Sequence, residues 1–570
     1  MQTKDSWKPL GRIATGGTAL SISGDSRRRV FIASPAGLFR GDGKTFSLVA
    51  RGFPFLQTSA TLVVNDIVYA AGLPEGLMRS HNGGDTWDRC WAEQIRSPIV
   101  CFAASPRFNH DGVVFAGTQS DGVLRSIDGG KHWSLSNFGL RNFSALAIAV
   151  APQWGRREFM FIGTENGVYR SPNGGRAWKA AGLEGQVVQA IAVSPNFAED
   201  KTVFAGTESK GLFRSGDGGE SWSRVKSFEA ESVNVLCYFE KYLLAATDGD
   251  TILRSSDDGE SWSRSNKTSS ALCIARVGDK LYAGVEDGVL RSDDGKKWSS
   301  VEIAAHRFDW LIVPAADLFV AGGVTSGVWV SQDGARWNQT AKLESAALLF
   351  NIAATHEVLL AATPNHLLRS IDLGKTWDGV LEKSITAMAF SDDKTVWAGG
   401  DDGALMMSGD RGRSWQMMPT PFESLAVVGV AATAPETVIV AVADRAARRV
   451  LFYRSTDSGA HWKLILDHSS TWFTPRLSDE VIGLGTTLMQ MKSDGWSNVE
   501  VTDDDAPINS VLSLDDMDLV GTAAGVLSVE RNKAKDFSQG MEGVPIVSLQ
   551  KLSRKLFALS ADGMVWERKK

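Results

Sequence analysis

Arg125-Ser126-Ile127-Asp128-Gly129-Gly130-Lys131-His132-Trp133 is one of a series of near-copies that runs almost to the end of this 570-residue chain. The same wording, called the box below, returns at 79–87, 170–178, 214–222, 254–262, 369–377 and 454–462, and at 408–415 without its leading Arg. Shortened copies occupy 292–298 and 331–337, and worn copies 40–46 and 493–496. Successive box tryptophans from Trp87 to Trp462 lie 46, 45, 44, 40, 36, 39, 40, 38 and 47 residues apart. A period in that range marks propellers and solenoids.

A short apolar segment precedes each box, such as Gly122-Val123-Leu124, and another starts at its Trp. That pattern predicts two antiparallel strands joined by a tight hairpin. The Asp carboxylate can accept backbone N–H groups two or so residues on, the Ser hydroxyl can add another bond, and the later Gly supplies a positive φ. Burying the Trp over the hairpin gives roughly 4 to 6 kcal/mol of gross stabilisation. Asp128 and Trp133, Asp217 and Trp222, Asp257 and Trp262, Asp372 and Trp377, Asp410 and Trp415, and Asp457 and Trp462 are therefore read as structural pairs. Asn82 and Asn173 fill the Asp slot in two copies. A capping role tolerates that exchange and a general acid does not.

This wording resembles the Asp-box, or BNR, repeats of sialidases, two-propeller xyloglucanases, sortilin-type receptors and photosystem II stability/assembly factor-like proteins. The resemblance covers nearly the whole chain and implies four-stranded propeller blades, with the box between the third and fourth strands. It specifies activity poorly, since many functions share the fold.

Counting apolar strands gives fourteen blades, too many for one closed ring. The expected fold is all-β, with two seven-bladed β-propellers of four-stranded antiparallel blades. The last blade lacks a fourth strand, while Asp5-Ser6-Trp7-Lys8-Pro9-Leu10 reads as an outer strand without a blade. Pairing the two removes two exposed edges. From this the expected division is residues 1–266 plus 541–570 in one propeller and 267–540 in the other, with joints near 267–270 and 539–543.

An apolar fraction of 43%, with 57 Gly and 17 Pro, describes a turn-rich globular chain. A net charge of −6 argues against a nucleic-acid partner. No apolar run is long enough for a membrane span. The first residues lack a signal-peptide core, so a cytoplasmic address is expected. Cys90, Cys101, Cys237 and Cys273 have no metal-type spacing and are expected as buried thiols, with a Cys90 to Cys101 bridge left open. No cofactor and no metal are expected.

The loops between second and third strands carry Asp121, Glu165, Glu208, Asp248, Asp250, Glu286, Asp287, Asp401 and Asp402. Such a rim could attract a cation or hydrogen-bond sugar hydroxyls. The alternative is that Asp-Gly and Asn-Gly are what short hairpins need. A different loop inserts Arg445, Arg448 and Arg449, candidates for an anion or protein contact. Trp310, Trp329, Trp397 and Trp472 stand outside the boxes as candidate sugar platforms, against core packing as the alternative.

The resemblance allows a test of the enzyme hypothesis. Xyloglucanases of this architecture carry a catalytic Asp ahead of a Gly-aromatic pair in the first blade, whereas Ala33-Ser34-Pro35-Ala36-Gly37-Leu38-Phe39 has no carboxylate. Sialidases need an early Arg-Ile-Pro, and Arg12-Ile13-Ala14 lacks the proline. They also need a tyrosine nucleophile, but all six tyrosines fall in or beside strand patterns. The expected function is a non-catalytic scaffold whose partner is another protein. The alternative is a glycoside hydrolase or carbohydrate-binding protein using the cleft between the propellers.

Overall fold

The computed structural model describes residues 6–14, 16–49, 57–73, 76–92, 96–155, 157–248, 251–265, 270–303, 306–343, 348–422, 424–469, 475–478, 481–492, 495–501 and 507–569. Within them lie fourteen four-stranded antiparallel sheets, here called blades 1 to 14 in chain order. Only two short helices interrupt them, Phe108–Asp111 and Phe197–Asp200.

Blade 3 shows why the sequence folds this way. Its strands Ile99–Ala104, Val114–Thr118, Val123–Ser126 and Ser134–Leu135 follow one another from the inside out. Val-Phe-Ala-Gly-Thr in the second strand is buried throughout. A strand covered on both faces reads as a continuous apolar run. Ser134–Leu135, at the outer edge, is exposed.

The chain forms two compact units. One is Thr15–Ala305, with blades 1 to 7, and the other is His306–Lys570 with Met1–Ala14, carrying blades 8 to 14. In Thr15–Ala305 each innermost strand packs on the next, and Ser21–Gly24 of blade 1 packs on Ala271–Val277 of blade 7. Across that closure Ala19 N donates to Val285 O at 3.1 Å and Gly16 N to Ile303 O at 2.6 Å. Ala19, Ile22 and Val30 share one core with Val277, Tyr282 and Val289.

The other unit closes in the same manner, with Trp310–Ala315 of blade 8 on Ile546–Leu552 of blade 14. Its last blade borrows a strand. Lys8–Arg12 pairs antiparallel with Met564–Lys569, which makes the N-terminal segment the fourth strand of blade 14. Trp7 is 2% exposed and donates its indole N–H to Phe537 O at 2.9 Å, while Arg12 pairs with Asp562 at 2.9 Å.

This arrangement corrects the expected division into 1–266 plus 541–570 and 267–540. The chain passes between units at 14/15 and at 305/306, and blades 13 and 14 follow one another within a single ring. The reason is that the N-terminal strand joins the later seven blades, leaving blades 1 to 7 to close without help. Residues 267–269, part of one expected joint, lie outside the described residues.

The full-length boxes share one geometry. In blade 3, Ser126 Oγ donates to Asp128 Oδ1 at 2.8 Å and accepts Gly130 N at 2.9 Å, while Asp128 Oδ1 accepts the N–H of Lys131 and of His132 at 3.0 and 3.1 Å. Gly130 has φ 79°, and a Cβ there would strike the Tyr69 ring. Trp133 donates to Gly130 O at 2.9 Å and is 6% exposed. The worn copy's Ser493 and Asp494 lie outside the described residues.

The leading Arg, to which no role was given from sequence, laces one blade to the next. Arg40 Nη1 reaches Gly83 O at 2.8 Å, Arg79 reaches Gly129 O at 3.2 Å and Arg170 reaches Gly218 O at 3.1 Å. Arg291 of blade 7 returns to Gly43 O of blade 1 at 3.4 Å, which closes the circuit.

Trp7→Ala should cost about 3 to 5 kcal/mol by leaving a cavity. Two-transition calorimetry should show that loss only in the transition of His306–Lys570, with that of Thr15–Ala305 unmoved. A second prediction concerns Asp257, whose pKa falls from 3.8 to about 2 because Ser261 donates through its hydroxyl and backbone N–H, and Ser255 through its hydroxyl. A depressed carboxylate contributes stability that is present above the unfolded value and lost as pH falls through the folded one. Asn82 shows how an amide fits, accepting Thr86 N at 2.9 Å and donating Nδ2 to Thr86 Oγ1 at 2.8 Å. In a melting series, Asp257→Asn should sit slightly below the wild type at pH 7, the gap closing between about pH 4 and 2. Asp257→Ala should melt lower throughout.

Candidate functional site

Most of the rim carboxylates do not pool. In Thr15–Ala305, Asp121 Oδ2 accepts the N–H of Arg96 and of Ser97 at 2.7 Å each and the Ser97 hydroxyl at 2.9 Å. Burial pushes its pKa up, but those bonds outweigh it and the net shift is downward. Asp287 Oδ1 accepts Gly17 N at 3.1 Å. Glu165 and Glu286 are exposed. Asp250 lies outside the described residues. In the other unit, Asp402 holds Lys383 at 2.6 Å and Asp401 is exposed. Among the described residues no group of three or more His, Cys, Asp or Glu side chains is placed to hold a metal ion.

One groove does gather carboxylates. Between blades 5 and 6, a hollow of about 740 Å³ is lined by Glu208 and Asp248 together with Glu229, Glu231 and the Trp262 indole. Asn234 Nδ2 donates to Asp248 Oδ1 at 2.7 Å. Trp262 packs edge-on to Phe228 at 5.0 Å and donates to Gly259 O at 3.2 Å. Sequence reading missed Glu229 and Glu231, which belong to the connection between blades rather than to the loops searched. The signal was there in Phe228-Glu229-Ala230-Glu231, a charged pair beside a buried aromatic.

The arginine loop of blade 11 is less available than its composition implied. Arg449 lies between Asp444 at 3.3 Å and Asp467 at 3.1 Å, and the Asp444 bond leads in raising its pKa. Arg448 adopts φ 53° at the turn, and Arg445 and Arg448 are exposed. Of the four tryptophans singled out as sugar platforms, the three that are described are packing residues. Trp397 is 0% exposed, Trp310 packs on a core, and Trp329 donates to Ser326 O at 2.8 Å beneath Phe308. Trp472 lies outside the described residues.

Tyr238, Ser34 and the four cysteines sit in buried or hydrogen-bonded settings. Tyr238 donates to Asp258 at 3.3 Å, but burial and that carboxylate push the phenol's pKa up. Ser34 spends its hydroxyl within the blade 1 turn, accepting Ala36 N at 3.0 Å and donating to Gly37 O at 3.2 Å. All four cysteines are free thiols, so the Cys90 to Cys101 bridge is not formed. Burial pushes Cys90, Cys101 and Cys273 up to about 12 and Cys237 to about 11. Every described carboxylate whose pKa departs from the ordinary value moves down, as at Asp128, Asp372 and Asp457, each near 2. A general acid working at neutral pH needs the opposite shift.

A family model described as the DUF6242 beta propeller domain matches residues 197–309. Among curated proteins compared by sequence, none matches the chain. Among solved structures, the GH74 xyloglucanase from Xanthomonas campestris superposes with a TM-score of 0.63 at 16% identity, covering 99% of this chain and 100% of that one. The GH74 enzyme of Niastella koreensis gives 0.63 at 14% identity with the same coverage. YCF48 bound to a D1 peptide matches 51% of this chain and 97% of its own, with a TM-score of 0.40 and 15% identity. At such identities the likeness to the two enzymes is one of fold: the chain is built of β-propeller blades. No helix among the described residues is long and apolar enough to cross a membrane.

Thiols raised this far should not react with an aromatic disulfide reagent at pH 8 while the protein is folded. All four should titrate at once in denaturant, followed by absorbance of the released thiolate.

Proposed function

We propose that this chain is a non-catalytic β-propeller protein that serves as a rigid platform for another protein. The observation that carries this reading is a pair of uncovered aromatics in consecutive seams of Thr15–Ala305. Trp91 is 62% exposed and Phe138 79% exposed. Their backbones are nevertheless fixed. Trp91 N donates to Lys131 O at 2.9 Å and Trp91 O accepts Trp133 N at 3.0 Å, while Phe138 O accepts Trp178 N at 2.9 Å. Each thus clamps the next box while turning its own ring to solvent. Ile127 and Leu135, at 64% and 37% exposure, belong to the same third blade. Large aromatics presented on a rigid backbone are what protein hot spots are made of. The depressed carboxylates and the acid-free blade 1 turn support the non-catalytic part of the proposal.

The groove of Glu208, Asp248 and Trp262 favours a second reading, carbohydrate binding, because an indole stands beside carboxylate acceptors there. One experiment weighs the two. The wild type and a Trp91→Ala/Phe138→Ala double variant, both immobilised, are challenged with native cell extract and with xyloglucan oligosaccharides. Melting temperatures should agree within about 2 °C, since neither ring is buried. A defined protein retained by the wild type and lost from the double variant supports docking. Identical protein capture by both overturns it, and oligosaccharide retention that Asp248→Ala abolishes selects the groove instead.

A further inference from the structure

The innermost strand of blade 12, Arg476–Ser478, faces the centre of the ring formed by blades 8 to 14. Arg476 keeps solvent access there, yet protein surrounds it closely enough that desolvation lowers its pKa; Asp309 opposes this and Arg307 adds to it. Its Nε donates to the backbone O of Asn509 at 2.7 Å. The two terminal nitrogens of the guanidinium have no partner among the described residues.

Asn509 is the second observation. It stands just ahead of the inner strand Ser510–Ser513 of blade 13, its N–H bonded to Gly521 O at 2.9 Å. It is 4% exposed, and its side-chain Nδ2 has no acceptor. Buried amides are nearly always paired, so an unpaired donor on the very residue whose carbonyl holds the arginine calls for an acceptor.

The surroundings set the charge of that acceptor. Asp309 is fully engaged, one oxygen taking Arg307 Nε at 2.6 Å and the other Val324 N at 3.1 Å. That pair is neutral as a unit, which among the described residues leaves the positive charge of Arg476 unopposed. A phosphate would bring more negative charge than one guanidinium offsets. A carboxylate brings one, in a planar shape that matches the arginine fork.

We propose that the centre of this ring binds a carboxylate, its oxygens taken by the terminal nitrogens of Arg476 and by Asn509 Nδ2. The carboxylate belongs either to a small free organic acid or to the chain end of a peptide. This site lies in a different unit from the aromatic seam and does not rest on it.

The test uses the full chain with two probes: ¹³C-labelled acetate, followed by line broadening at ionic strength matched with chloride, and a tripeptide with a free or an amidated C-terminus, followed by calorimetry. Saturable binding of acetate, or of the free-acid tripeptide but not its amide, is expected. Arg476→Gln should weaken it about tenfold or more. Asn509→Asp should abolish it by setting the chain's own carboxylate beside the fork, and it keeps the test available should Arg476→Gln not fold. Acetate bound as tightly as the tripeptide identifies a small acid, and tripeptide bound more tightly identifies a chain end. Failure of both probes, equal binding of acid and amide, or binding that survives in both variants overturns the proposal.

Discussion

Each blade depends on a turn that satisfies its own polar groups. Four bonds within the eight residues from Ser126 to Trp133 consume one hydroxyl, one carboxylate oxygen and three backbone N–H groups. A hairpin so closed needs no water and no neighbour to hold its shape, and the indole can lie over it as a rigid lid. The Asn82 copy shows that what matters is an acceptor at Oδ1 rather than a charge. Repetition then builds the rings, and Arg40, Arg79, Arg170, Arg291 and Arg369 each tie their own blade to a carbonyl of the next turn.

Ring closure follows from the same economy of edges. A row of blades would expose an apolar inner face at each end. Thr15–Ala305 removes both by packing blade 7 on blade 1 through ordinary strand residues such as Ile22 and Val277. The other unit closes its last blade with a strand from the opposite end of the chain, pinned by Trp7 and Arg12. A strand contributed from so far away in sequence ties the first and last residues of the unit together, which raises the loop entropy spent on folding and lowers the freedom to open afterwards.

The blades and the borrowed strand were legible in the sequence because each rests on a local pattern: a box, an apolar run, an unpartnered outer strand. Ring membership was not. Every blade carries nearly the same inner strand, so nothing in Ala271–Val277 announces that it meets Ser21–Gly24 rather than blade 8. The candidate site was legible in part for a related reason. Asp121 and Glu208 look alike in a mouth loop, yet Asp121 caps the preceding connection while Glu208 opens on a groove, and only the path of the intervening chain separates them. Arg476 and Asn509 were invisible, since a lone arginine and a lone asparagine acquire meaning only when the ring brings blades 12 and 13 together.

The chemistry available to such a fold is narrow in a way that bears on its function. A turn that must accept N–H groups depresses the pKa of its aspartate, and an acid so depressed cannot hold a proton at neutral pH. The box aspartates, each recruited into its own hairpin, are therefore not available as acids. What remains free is whatever the turns do not use: side chains at seams, where the backbone is clamped and the ring is not. Trp91 and Phe138 occupy such places. The backbone that carries them is committed to the next box, while the rings themselves stand exposed.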